Sequence, residues 1–274
     1  MKKLLLGSIA IIALGIAPAL AADMAVKARP APVAMGYNWT GWYVGVNGGG
    51  EWGRSDAGLA ILNNTYVPAA TATILANGNN RINNSGGLVG GQFGYLWQSG
   101  AFVGGVEASI DWMGIRGSVT RSGLFGGAPF DTFNESVKSD WLALLLGRAG
   151  VDFNGWMPYV TGGLAVTNFR YSSTFTDILS PAASNASISQ TRAGWAVGAG
   201  LEYRITPSWS LRGEYLYADF GSISGSSPVI NPLTGVQYNL AGGGLTFQHS
   251  ANLRENIARL ALSYHFGGPA VGRY

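Results

Sequence analysis

The sequence predicts an all-β chain: an eight-stranded antiparallel transmembrane up-and-down β-barrel, preceded by a cleaved signal peptide. Three observations predict it. The stretch Ile257-Ala258-Arg259-Leu260-Ala261-Leu262-Ser263-Tyr264-His265-Phe266 alternates with a period of two, the strand period rather than the helix period. One face (Ala258, Leu260, Leu262, Tyr264, Phe266) is apolar and ends in aromatics; the other carries Arg259, Ser263 and His265. The connections between such stretches alternate short and long, and the aromatic residues collect at the stretch ends. Lipid outside and a lumen inside, with short turns at the periplasmic end, account for all three.

Composition sets the bounds. The 274 residues include 42 Gly and 12% aromatics, no Cys, and only 11% charged residues, about half the share in soluble domains. No segment after the leader reaches the roughly 20 apolar residues of a membrane helix. Removing Lys2 and Lys3 with the leader leaves 15 basic against 14 acidic residues, a net charge of +1. No nucleic-acid partner is expected from that balance.

Residues 1–21 read as a signal peptide for the Sec pathway. Lys2-Lys3 is the charged start, Leu4 to about Ala17 the apolar run, and Ala19-Leu20-Ala21 the small-x-small cleavage site. An uncleaved anchor would need a longer apolar run. Residues 22–38 are a Pro/Ala-rich periplasmic tail, and 39–274 form the barrel.

The first strand spans 39–53, with Trp42, Val44, Val46 and Trp52 outward and Gly45, Asn47 and Glu51 inward. The second covers about 85–98. The third, 101–116, sets Phe102, Val106, Ala108, Ile110 and Trp112 against Val103, Gly105, Glu107, Ser109 and Asp111. The fourth, about 140–152, is apolar on both sides at Trp141 to Leu146, so a buried helix turn competes there. The fifth covers 158–171. The sixth, 190–205, opposes Trp195, Val197, Leu201 and Tyr203 to Gly194, Gly198 and Glu202. The seventh, 209–220, opposes Trp209, Leu211, Tyr215 and Tyr217 to Ser210, Arg212 and Glu214; the eighth is the stretch at 257–266. The segments 54–84, 117–139, 172–189 and 221–252, rich in Asn, Ser, Thr and Gly, are expected as long outer loops. The facing predicts two interfacial aromatic girdles. Trp42, Trp97, Phe102, Tyr203, Trp209, Tyr264 and Phe266 belong to the periplasmic one, and Trp112, Trp141, Trp195 and Tyr217 to the outer one.

The inward charges Glu107, Asp111, Arg148, Glu202, Arg212, Glu214 and Arg259 must be paired in a low-dielectric lumen, and form one expected network. It reads either as a structural plug or as a gate whose pairs exchange partners. Catalytic signals are weak. Gly48, Gly50 and Gly53 match G-x-G-x-x-G without the following helix that the motif needs. His265 shares the inner face with Ser263 but lies at the periplasmic end, far from an outer-leaflet substrate, and His249 beside Ser250 lacks an assigned carboxylate. No metal-ligand spacing is present. Neither an enzyme nor a cofactor is expected.

Several stretches together carry a family resemblance. They are Trp39-Thr40-Gly41-Trp42-Tyr43-Val44-Gly45-Val46-Asn47, Gly90-Gly91-Gln92-Phe93-Gly94-Tyr95, Val106-Glu107-Ala108-Ser109-Ile110-Asp111-Trp112, Pro158-Tyr159-Val160-Thr161-Gly162-Gly163, Gly198-Ala199-Gly200-Leu201-Glu202-Tyr203 and Glu214-Tyr215-Leu216-Tyr217. As a set they resemble the small outer-membrane immunogenic proteins of the rhizobial group, within the opacity-type porin family. The resemblance implies an abundant Gram-negative surface antigen with exposed loops and no shared catalytic residues. Its C-terminus departs from the usual one: Gly267 to Arg273 follow Phe266, so Phe266 or Tyr274 is the aromatic that the barrel-assembly machinery reads. Other expected partners are outer-membrane lipid and lipopolysaccharide, with a host or extracellular ligand engaging loops 54–84 and 221–252. The function expected is structural, in envelope integrity and surface interaction. The alternatives are a narrow porin-like diffusion channel and an adhesin or receptor.

Overall fold

The computed structural model describes residues 38–240 and 243–266. The signal peptide, all but the last residue of the tail, and Tyr274 lie outside the described residues. Alternation of outward apolar and inward small or polar residues yields β1 (Gly41–Leu62), β2 (Asn80–Ser99), β3 (Phe102–Phe125), β4 (Ala128–Val151), β5 (Trp156–Asp177), β6 (Ala182–Arg204) and β7 (Trp209–Pro228). After two-residue strands β8 (Asn239–Leu240) and β9 (Gly243–Gly244), the chain ends its barrel with β10 (Thr246–His265). A helix, α1 (Pro68–Gly78), lies between β1 and β2. The closed order is β1-β10-β7-β6-β5-β4-β3-β2, with every neighbour antiparallel. Closure pairs the backbone groups that hydrocarbon cannot hydrogen-bond, and leaves no edge.

The facing follows the expected parity. Val106, Val197 and Leu260 are exposed on the outside, at 49%, 49% and 64%, while Glu107 and Arg259 are buried. The ambiguous run at Trp141 to Leu146 is strand, with Leu142, Leu144 and Leu146 inward and Leu145 outward. β6 and β7 form ladder pairs only between Trp195–Arg204 and Ser210–Asp219, and beyond these their outer portions meet through side chains such as Ser184 and Ser227.

The outer connections differ from expectation. Of 117–139, only Gly126 and Gly127 turn; of 172–189, only residues 178–181; most of the remainder is paired strand. Residues 54–62, 80–84, 221–228 and 246–252 are also strand, which leaves 63–79, 229–240 and 243–245 as the described outer connections beyond the turns. Gly126 and Gly127 hold φ of 60° and 85°, the left-handed pair that a two-residue hairpin requires. Strands of 20 to 24 residues are about twice the 9–11 needed to cross a bilayer. The excess projects beyond the membrane. There the phase inverts: Phe133 and Glu135 point in, and Asn134 and Ser136 point out. That is the ordinary pattern of a sheet in water, and it conceals the strands from a reading tuned to lipid-facing alternation.

The outer end is closed by an apolar cluster. Ala70 and Ile74 of α1 pack with Phe130, Phe133, Phe175, Val229, Leu245 and Phe247. Pro68 opens the helix, where its missing N–H costs nothing, and Asn79 Nδ2 donates to Leu75 O at 2.6 Å at the other end.

Candidate functional site

Parity on each strand brings all seven sequence-derived charges into the lumen. Glu107 on β3 is the centre. Arg212 of β7 approaches it with both terminal nitrogens, Nη2 at 3.0 Å from Oε1. Arg148 of β4 lies 3.5 Å away and Arg259 of β10 lies 3.3 Å away. Arg148 also meets Glu202 at 2.6 Å, and Arg259 meets Glu214 at 2.6 Å and Asp111 at 3.4 Å. All seven side chains are nearly inaccessible. Each charge therefore depends on its neighbours, because burial of an unpaired ion costs several kcal/mol.

The network is larger than the charges alone. Tyr43 donates to Glu107 Oε2 at 2.6 Å and accepts from Arg148 Nη1 at 3.1 Å. Tyr159 donates to Glu214 at 2.6 Å, with the Arg148 guanidinium 4.0 Å from its ring centroid. Ser210 donates to Glu202 at 2.6 Å and stands 2.9 Å from His265 Nε2. Tyr43 and Tyr159 were not among the expected site residues, although their parity, opposite to Trp42 and in step with Thr161, places them inward.

The lumen beyond this network is not the polar, water-accessible interior that alternation suggests. Moving outward along the strands, Leu142, Leu144, Leu146, Ala165, Leu216, Ile257 and Met113 form a buried apolar layer. Side chains from other strands take the space at several inward glycines: Tyr43 at Gly94, Leu216 at Gly198 and Tyr159 at Gly200. Beyond the layer, Glu51 and Glu255 are buried with Asn84 donating to Glu255 at 2.8 Å. Among the described residues neither carboxylate has an ion-pair partner.

The expected girdle residues stand on the outside in two bands. Trp42 stacks on Phe93 at 5.0 Å, Trp156 lies 4.3 Å from Tyr203 and Trp209 5.2 Å from Tyr264 at the short-turn end. Trp97, Phe102 and Phe266 are exposed at the same end. At the other end Trp112 pairs with Trp141, and Trp195 lies 5.6 Å from Tyr217.

In the outer extension His249 points inward, away from Ser250, and its Nε2 lies 3.0 Å from Ser227 Oγ, which lies 2.7 Å from Ser184 Oγ. Likewise Ser263 accepts from Gln92 and does not meet His265. The two Ser–His pairs that are neighbours in the sequence are not contacts in the fold. Burial pushes His249 from 6.5 down to about 4. The unfolded chain thus takes up a proton in a window where the folded one refuses it, so this residue's contribution to stability falls as pH drops from above 6.5 toward 4, by roughly 3 kcal/mol. Glu135, Asp131 and Asp177 in the same extension are raised by burial and act in the opposite direction. The comparison of wild type with His249→Gln isolates the histidine. The protection factors of the amides at residues 247–251 (the intrinsic exchange rate at each pH divided by the observed rate) should fall on acidification more in the wild type than in the variant; identical pH profiles would refute the assignment.

Comparison with known proteins adds the following. A family model described as outer membrane protein beta-barrel domain matches residues 9–266. The 31 kDa outer-membrane immunogenic protein of Brucella melitensis is 33% identical over 229 residues, covering 81% of this chain and 88% of that protein. The 22 kDa outer membrane protein of Rhizobium leguminosarum bv. viciae is 30% identical over 196 residues, covering 71% of each. Among solved structures, the outer membrane protein OprG from Pseudomonas aeruginosa aligns with a TM-score of 0.44 at 15% identity, covering 84% of this chain and 99% of its own.

Proposed function

We propose that this chain, which belongs to the outer membrane protein β-barrel domain family, is a closed structural barrel of the outer membrane that supports the envelope and presents a rigid surface outside. The observation that carries this reading is the packed lumen. The charge network, the apolar layer and the outer aromatic cluster succeed one another along the strands, and their side chains are buried. A diffusion channel needs a continuous polar path, and a slab of Leu, Ile and Met disfavours one. The network then acts as a plug that fixes strand register, and the two aromatic bands set the barrel's height in the bilayer. No enzymatic role is assigned, because His265 and Ser210 are enclosed and His249 has no carboxylate partner on Nδ1.

The partners follow from the surfaces. Outer-membrane lipid and lipopolysaccharide surround the apolar band. Phe266, exposed at 61% one residue beyond β10, suits the barrel-assembly machinery. A host or extracellular ligand would meet the strand extensions and the connections 63–79, 229–240 and 243–245, where Val67, Leu233 and Val236 are exposed.

Planar-bilayer recording tests the closed lumen. The refolded full chain should show no steady unitary steps. Ion-selective steps that disappear on changing Arg259 or Glu107 would establish the alternative, a channel gated by this network.

A further inference from the structure

On the outward face of β3, β4 and β5, Arg116 pairs directly with Lys138, and Lys138 directly with Arg170. All three side chains are exposed. Like charges directly opposite each other on neighbouring strands destabilise a sheet, and here three cations stand side by side across two interstrand gaps of about 4.8 Å each. One carboxylate is within reach, Asp140, 3.3 Å from Arg170; among the described residues Arg116 and Lys138 have no ion-pair partner. A shallow cleft of about 430 Å³ lies beside the first two, lined also by Asn83, Gly117, Ser118 and Ser136.

The height of the row is informative. Arg116 stands four residues outward of Trp112, and Lys138 three residues outward of Trp141, on the order of 10 Å along a strand and less along the membrane normal once the tilt is included. The row therefore overlies the outer aromatic band at the level of lipid headgroups. Cations with long apolar stems can reach down toward anions at that level. A soluble anion would have no reason to be met at this height on a lipid-facing wall.

We infer that Arg116, Lys138 and Arg170 form a binding site for the phosphorylated headgroup of an outer-leaflet glycolipid of the lipid A type, whose phosphates neutralise the row. The acyl chains would lie against the wall below, beside Trp112 and Trp141. This inference rests on the insertion described above, with the short turns at the periplasm, and its test separates the two.

The full chain is reconstituted into phosphatidylcholine bilayers alone, with bisphosphorylated lipid A, or with the dephosphorylated glycolipid. Heat-modified gel mobility reports closure and insertion in every case. Wild type should retain lipid A through purification in detergent and gain thermal stability from it, while the dephosphorylated lipid does neither. The triple variant Arg116→Gln, Lys138→Gln, Arg170→Gln should lose retention by tenfold or more, about what the loss of one or two charge-assisted contacts gives. In phosphatidylcholine alone that variant should be as stable as wild type or more so, because the repulsion is gone. Should the triple variant not insert, Lys138→Gln alone is read for retention, and Arg121→Gln, higher on β3, serves as the unaffected control. Equal retention by variant and wild type, equal retention of the dephosphorylated lipid, or displacement of lipid A by soluble inositol hexakisphosphate would each overturn the proposal. Loss of the gel shift in wild type would instead overturn the insertion itself.

Discussion

Replacing Glu107 with alanine is expected to destabilise the lipid-embedded barrel by about 3–5 kcal/mol, the cost of leaving a buried ion without its partner. Arg212 has Glu107 as its ion-pair partner, and Arg148 and Arg259 each lose one of theirs. The Tyr43 hydroxyl loses its acceptor as well. Urea unfolding in vesicles, followed by tryptophan fluorescence and by heat-modified mobility, measures the loss. Adding Arg212→Met to Glu107→Ala should recover part of it, because the stranded guanidinium is then gone, and the double-mutant cycle reports the coupling. A loss under roughly 1 kcal/mol would mean that water already solvates these groups, which contradicts a packed lumen.

A lysine at Leu260 is expected to cost about 2–4 kcal/mol, since that position faces hydrocarbon near the middle of the span. Leu260→Ala should cost far less, which marks charge rather than volume as the cause. Gly198 behaves in the opposite way. A Cβ there would collide with the backbone oxygen of Tyr215 and come 2.7 Å from Leu216 Cδ2, so Gly198→Ala should already impair folding and a lysine adds little that is specific to charge. Backbone carbonyls move less readily than side-chain ends, and overpacking of this kind typically costs 1–3 kcal/mol, as an order of magnitude. Measured in the same vesicles, an alanine–lysine difference of the same size at Leu260 and Gly198 would remove the distinction between the lipid face and the lumen face.

Much of the architecture was legible because a bilayer imposes a stricter rule on strands than water does. Along 257–266 every outward position is apolar and every inward one small, polar or charged, apart from Ile257, and the structure keeps that facing residue by residue. The same parity places the charges of β3, β4, β6, β7 and β10 in one lumen. What parity does not give is depth. Arg148 and Glu202 meet because β4 and β6 stagger around the barrel, and stagger is a property of closure rather than of any one segment. The outer extensions look like loops in the sequence because their apolar residues, Phe133, Val137, Tyr171, Phe175 and Phe247, face inward on a polar background. Reading both phases of alternation, instead of the lipid-facing phase alone, would have found them. The apolar luminal layer is hidden in the sequence for a related reason. Leu142, Leu144 and Leu146 lie in a run apolar on both sides, and such a run does not reveal which side is the interior.

The strand extensions have a consequence for immune recognition. Beyond the bilayer, Ser118, Ser136, Ser172 and Ser187 stand in one row across four adjacent strands, and Thr120, Asn134, Thr174 and Asn185 in the next. An antibody lying on this wall touches side chains distant in sequence at the same moment. Its epitope is a patch of woven fabric rather than a thread, and a peptide copied from any one segment carries only a single thread of it.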